Sequence, residues 1–267
     1  MAEHAGVGEG ASIHLANVAK SYHTRAGETF ALEGVGLDVE PNEFVALLGP
    51  SGCGKSTLLK LVSGLEPATA GSIHVGDDLV VGPRPDVGFC FQRDNLLEWR
   101  KVIDNVLLPA EIKGRVTGET RQRAEALLTQ VGLERYGSHY PYQLSGGMRQ
   151  RAALCRALLL DATMMLMDEP FGALDALSRE RHQILLQDVW MKNRITVLFV
   201  THDIREAVFL ADRVVLMSPA PGRVSSITTI QLPRPRVPQV FETEEFLAYV
   251  SALHRELFAS EWEGANP

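Results

Sequence analysis

Phe44-Val45-Ala46-Leu47-Leu48-Gly49-Pro50-Ser51-Gly52-Cys53-Gly54-Lys55-Ser56-Thr57 is an unbroken apolar run that stops at a glycine-rich turn and continues into helix-forming residues. A continuous apolar run of this kind suits a strand buried on both faces. The spacing after it predicts a helix over Ser56 to Ser63. A strand, a G-x-x-x-x-G-K-[ST] turn and a helix together make a phosphate-binding loop. Its glycines let the backbone approach closely, and the loop amides and helix N-terminus aim positive partial charge at phosphate oxygens. Lys55 is then expected to bridge the β- and γ-phosphates and the Ser56 hydroxyl to coordinate magnesium. Gly49, Pro50, Ser51, Gly52, Cys53, Gly54 and Thr57 complete the nucleotide-binding set.

Thr163 to Met167, Thr196 to Val200 and Val214 to Met217 are further continuous apolar runs. They read as parallel strands of the same buried sheet. Gly146 to Leu160, Ala176 to Lys192 and Ile204 to Ala211 carry helical spacing between them, so strand and helix alternate and the core is α/β. Ile13 to Tyr22, Thr29 to Val39 and Ser72 to Val81 alternate partly and read as an antiparallel edge layer. The stretch from Leu96 to Leu154 has no strand-like run and reads as an inserted helical subdomain, about residues 95–156. Residues 1–11 are expected to be disordered. After Met217, Pro219, Pro221, Pro233, Pro235 and Pro238 mark an extended stretch, and Phe246, Val250, Leu253 and Leu257 fall on one face of a last helix.

Two more places carry chemistry. Asp168-Glu169 ends a buried strand, at the sheet edge where ligands of open α/β sheets sit. Asp168 is expected to hold magnesium through water and Glu169 to polarise the attacking water. Leu144-Ser145-Gly146-Gly147-Met148-Arg149-Gln150 opens a helix with amides freed at its start, a second anion site. A capping serine would explain Ser145 alone.

Taken together, these residues resemble the ATP-binding cassette ATPases, over roughly Ser12 to Leu232. The resemblance implies a P-loop NTPase (RecA-like) core in one ATPase domain, 12–232, followed by a proline-rich segment and amphipathic helix, 233–267. It also implies further roles: Gln92 links magnesium and water to a membrane partner, Asp175 lies in a loop crossing between subunits, His202 contacts the γ-phosphate and Tyr22 stacks on adenine. ATP and Mg2+ are the implied ligands. The signature at Ser145, Gly146 and Gly147 would close on the nucleotide of a second copy, giving an ATP-dependent dimer.

The run Trp99 to Pro109, Tyr140-Pro141-Tyr142-Gln143 and Leu232-Pro233-Arg234-Pro235-Arg236 look like the nitrate, taurine, alkanesulfonate and bicarbonate branch of bacterial importers, whose members also carry pyrimidine precursors. That branch implies two integral-membrane permease subunits and, indirectly, an extracytoplasmic solute-binding protein. Trp99 would lie where the permease docks, unless it is simply buried. An exporter or lipoprotein-release ATPase, and a soluble cassette ATPase acting on nucleic acid or ribosomes, are the competing readings.

Bulk properties bound these readings. The chain has 267 residues, 45% hydrophobic, and a net charge of -7. Such a charge disfavours nucleic acid and anionic lipid as partners. The apolar runs fall well short of the roughly 20 residues of a spanning helix, and Met1 to Gly10 lack the pattern of a secretory signal. Peripheral attachment to the cytoplasmic face of the inner membrane, through a protein partner, is therefore expected. Cys53, Cys90 and Cys155 show no metal-ligand spacing and read as reduced thiols, with Cys53 placed beside Lys55.

Overall fold

The computed structural model describes residues 10–24, 27–159, 162–172 and 174–265. Its centre is a six-stranded sheet built from β3 (Phe44–Leu48), β6 (Val87–Cys90), β7 (Met164–Asp168), β8 (Thr196–Val200), β9 (Arg213–Met217) and β10 (Val224–Thr229), in the order β10-β9-β3-β8-β7-β6. The pairings β9-β3, β3-β8, β8-β7 and β7-β6 are parallel, and β10 alone runs antiparallel, on the β9 edge. A second sheet of β1 (Ile13–Thr24), β2 (Gly27–Val39), β4 (Ala70–Val75) and β5 (Asp78–Leu79) is antiparallel throughout, in the order β2-β1-β4-β5.

The continuous apolar runs are buried on both faces, as their composition requires. Alternate residues of β3 serve opposite cores. Phe44, Ala46 and Leu48 join one cluster with the helices, and Val45 and Leu47 join another with the antiparallel sheet and α1 (Lys55–Val62). Burying a side chain of Val, Leu or Phe size contributes about 1.5–3 kcal/mol. Both clusters are therefore large favourable terms, offset by chain entropy.

Between β6 and β7 lie α2 (Val102–Ile112), α3 (Gly118–Gln130), a 3-10 turn at Pro141–Gln143 and α4 (Gly146–Leu158). Then follow α5 (Ala176–Asn193) and α6 (Ile204–Leu210). Helix α7 (Glu244–Ala265) buries Phe246 and Leu253, with Val250 and Leu257 packed against the same core, so its apolar stripe is used at home.

Several sequence expectations need correction. Ser72 to Val81 is not one strand: Gly76 takes φ +57 and turns β4 back into β5. The polar stretch Val224–Thr229 after the prolines is a strand. Residues 1–9 of the expected disordered terminus lie outside the described residues. Gly10 and Ala11, expected there too, are held in place: the Gly10 amide donates to Asn42 Oδ1 at 2.9 Å and the Ala11 amide to the Thr163 carbonyl at 3.1 Å.

Candidate nucleotide site

The carboxyl ends of β3, β7 and β8, with the segment after β6, bring most of the expected residues to one edge of the parallel sheet. The phosphate loop leaves β3 and enters α1 through Gly54, whose φ of +98 is a left-handed conformation open to glycine at little cost. No side chain caps α1, so its first amides stay available to an anion. A Cβ at Gly54 would strike the Ala31 carbonyl at 2.7 Å. The buried Lys55 ammonium donates to the loop's own carbonyls, Gly49 at 2.7 Å and Pro50 at 2.8 Å, and lies 3.7 Å from Cys53 Sγ. The loop thus curls around a cation at its centre.

Ser56 Oγ donates to Asp168 Oδ1 at 2.8 Å, tying the loop to the end of β7. Burial pushes the Asp168 carboxyl above its usual range, the Ser56 hydroxyl opposes that shift, and the neighbouring Glu169 charge adds to it. A hydroxyl and a carboxylate oxygen side by side are the hard oxygen donors that suit magnesium. The donor set fits that ion.

Glu169 follows with φ +45, a region that non-glycine residues enter rarely. Its amide is held by the Val200 carbonyl at 3.0 Å, so the twisted backbone is fixed against β8. The twist aims the carboxylate sideways. Glu169 Oε2 accepts from Gln92 Nε2 at 3.3 Å and lies 3.4 Å from His202 Nδ1. Gln92, Glu169 and His202, predicted from three separated stretches, therefore share one oxygen.

Tyr22, near the end of β1, donates to Glu66 Oε2 at 2.6 Å, and Lys20 Nζ lies 5.0 Å from its ring centroid. Thr57 and Lys60 of α1 also face its hydroxyl, which puts Tyr22 beside the phosphate loop.

The residues of the expected second anion site line a cleft without any phosphate-loop residue. Ser145 caps α4, accepting from the Met148 amide at 3.3 Å, and Asp175 caps α5, accepting from the Ser178 amide at 3.0 Å. The Ser178 bonds hold the Asp175 carboxyl below the usual carboxylate range. Ser145, Gly146, Gly147 and Asp175 line one open cleft of about 470 Å³, and no residue of the phosphate loop lines it.

Two bracing features had no local sequence signal. Arg149 of α4 donates to Asp94 Oδ2 at 3.0 Å, while Gln150 donates to the Phe91 carbonyl at 3.3 Å, bolting the segment around Gln92 to the signature helix. Gly222 packs directly behind the phosphate loop, where a Cβ would fall 1.9 Å from the Cys53 carbonyl. Trp99 is 76% exposed, which removes simple burial as its explanation.

Comparison with known proteins sharpens the picture. The family model described as "ABC transporter" matches residues 32–172. The taurine import ATP-binding protein TauB of Rhizobium johnstonii is 48% identical over 204 residues, covering 76% of this chain and 78% of that protein. The aliphatic sulfonates import ATP-binding protein SsuB of Albidiferax ferrireducens is 46% identical over 219 residues, 82% of this chain and 76% of that protein. Among solved structures, the dimeric post-hydrolysis state of the ATP-binding cassette MJ0796 bound to ADP and Pi superposes with a TM-score of 0.73 at 34% identity, covering 83% of this chain and 100% of that one.

Proposed function

The chain belongs to the ABC transporter family and is one of its ATPases, and from that premise we propose that it energises import of a small solute through two separate permease subunits. The observation that carries the catalytic part is the single Glu169 oxygen facing Gln92 and His202, next to the Ser56–Asp168 pair.

In this reading the loop amides and Lys55 hold the β- and γ-phosphates, with Tyr22 against the base. Lys55 exchanges its loop carbonyls for phosphate oxygens. Ser56 and Gln92, and Asp168 through water, would hold magnesium, which when bound would neutralise phosphate charge. Glu169 accepts hydrogen from the water that attacks phosphorus in line with the leaving oxygen, and its fixed backbone keeps that carboxylate aimed. His202 donates to the γ-phosphate as charge builds on it. The signature amides at Ser145, Gly146 and Gly147, with Asp175, complete the site of a second copy. That no phosphate-loop residue lines that cleft supports this exchange.

The exposed Trp99, beside the Gln92 segment, is proposed as part of the permease-docking face. Among the described residues no helix is long and apolar enough to cross a membrane, which fits attachment to the cytoplasmic face through those permeases. The names of the relatives favour a small sulfonate as the solute over nitrate, bicarbonate or a pyrimidine precursor.

Glu169→Gln is expected to bind ATP with parental affinity while its steady-state hydrolysis falls at least about 100-fold; hydrolysis at the parental rate would remove Glu169 from its role. Capture of tagged Glu169→Gln from native membranes with ATP and magnesium should recover a multispanning permease and a secreted solute-binding protein. Recovery of ribosomal or DNA-associated proteins without a permease would overturn the importer reading. Titrating the recovered solute protein with taurine, nitrate, bicarbonate and a pyrimidine then identifies the solute class.

A further inference from the structure

The geometry points to His182 as a positioning residue that fastens the signature turn to the helix carrying Asp175, so that both reach the second subunit's nucleotide as one rigid piece. This inference rests on the composite-site reading above. His182 lies on α5 about two turns beyond Asp175. Its Nδ1 is 2.6 Å from the Ser178 carbonyl of its own helix, and its Nε2 is 3.0 Å from the Gly147 carbonyl of α4. Carbonyl oxygens only accept, so the ring donates in each bond it makes: a neutral ring protonated on Nε2 makes the Gly147 bond alone, and an imidazolium makes both.

The bond to Gly147 bears on the anion site directly. The carbonyl of Gly147 and the amide of Met148 belong to one peptide plane. Ser145 Oγ holds that plane at its amide, 3.3 Å away, and His182 holds it at its carbonyl. With both ends fixed, the neighbouring Gly146 and Gly147 amides keep a constant direction, as preorganised electrostatic binding requires. The fit is reciprocal. A Cβ at Gly147 would fall 2.8 Å from His182 Cε1 and 3.0 Å from Nε2, so glycine at this position leaves the space the ring fills. His182 and Asp175 line the same cleft as Ser145, Gly146 and Gly147, and the His182–Gly147 bond couples a rotation of α5 to the signature turn.

The test uses the full chain in the Glu169→Gln background. ATP-Mg binding to the monomer is measured with a fluorescent ATP analogue at low protein concentration, and ATP-driven dimerisation by analytical ultracentrifugation. His182→Leu removes the donor and keeps the bulk; His182→Asn keeps polarity but is too short to reach Gly147; His182→Gln places an amide donor near the Nε2 position. Loss of one bond at each of two composite sites is expected to weaken dimerisation about tenfold or more in the Leu and Asn variants, with monomer nucleotide affinity unchanged within about twofold. His182→Gln should recover most of the loss. Parental dimerisation by folded His182→Leu or His182→Asn would overturn the role. So would a parallel fall in dimerisation, nucleotide affinity and melting temperature in all three variants, which marks a purely structural side chain. If the Glu169→Gln parent itself forms no ATP-dependent dimer, the composite-site reading falls first and this role with it.

Discussion

Glu206 shows how much one side chain near the γ-phosphate edge depends on its surroundings. It is 5% exposed, accepts from Thr201 Oγ1 at 2.6 Å, and lies 3.5 Å from Arg179 Nε, so it braces the turn that carries His202. Burial pushes its carboxyl above the ordinary value, the Thr201 bond opposes that, and the Asp203 charge adds to it. The folded state therefore holds this proton more tightly than the unfolded chain, where the group titrates near about 4.3. Below that pH both states are protonated and the site costs nothing. As pH rises through the raised folded value, ionisation penalises the folded state and stability declines. Glu206→Gln carries no such proton. The melting temperature of the parent minus that of the variant should fall as pH rises from about 4 and then level off once the folded carboxyl has ionised, in a thermal unfolding series, and a constant difference would refute this account. At this scale the sequence was informative about type and silent about geometry. Asp168 and Glu169 are readable as a carboxylate pair after an apolar run, whereas the left-handed twist at Glu169 depends on a bond to Val200 that no local pattern encodes. The same holds for His182 and Gly147, 35 residues apart in sequence, whose meeting depends on how the start of α4 passes α5.

Elements whose faces are wholly buried were the most legible. β3 and β8 have the bounds their apolar runs suggest, because a strand covered on both sides is almost wholly apolar; the polar Thr196 of β8 is buried and accepts from the Asn42 amide at 2.9 Å. β10 escaped notice for the opposite reason: Val224–Thr229 lies on a sheet edge, half-buried, and its Ser and Thr residues look like loop among the surrounding prolines. The segment after β10 is likewise more than a spacer. Arg236, 2% exposed, donates through Nη1 to the carbonyls of Val208, Phe209 and Ala211 at 2.8, 3.0 and 2.8 Å, closing the C-terminal end of α6. Its amide is taken by Gln187 Oε1 at 2.8 Å, which ties the strap to α5 as well. Such end carbonyls are costly to leave unpaired when buried. Arg236→Ala should therefore lose about 2–4 kcal/mol in urea unfolding, with a change below about 1 kcal/mol contradicting the capping role.

Across the fold, the proposed docking role of Trp99 and the proposed hydrolytic role of Glu169 can be measured separately. Trp99→Ala removes an indole that is 76% exposed, so the unfolding free energy should change by no more than about 0.5 kcal/mol. Permease recovered in membrane capture should nevertheless drop several-fold, since exposed aromatic anchors dominate interfaces; undiminished capture would move the docking face elsewhere. A final consequence follows from the two cores of the central sheet. The helices α2, α4, α5 and α6 bury their residues on one face, α1 and the antiparallel strands bury theirs on the other, and none of these buried residues belongs to both clusters. The sheet then works as a fulcrum with independent arms. In the proposed cycle, a tilt of the arm bearing the signature rearranges one greasy surface only, and the arm with Tyr22 stays seated on the opposite one.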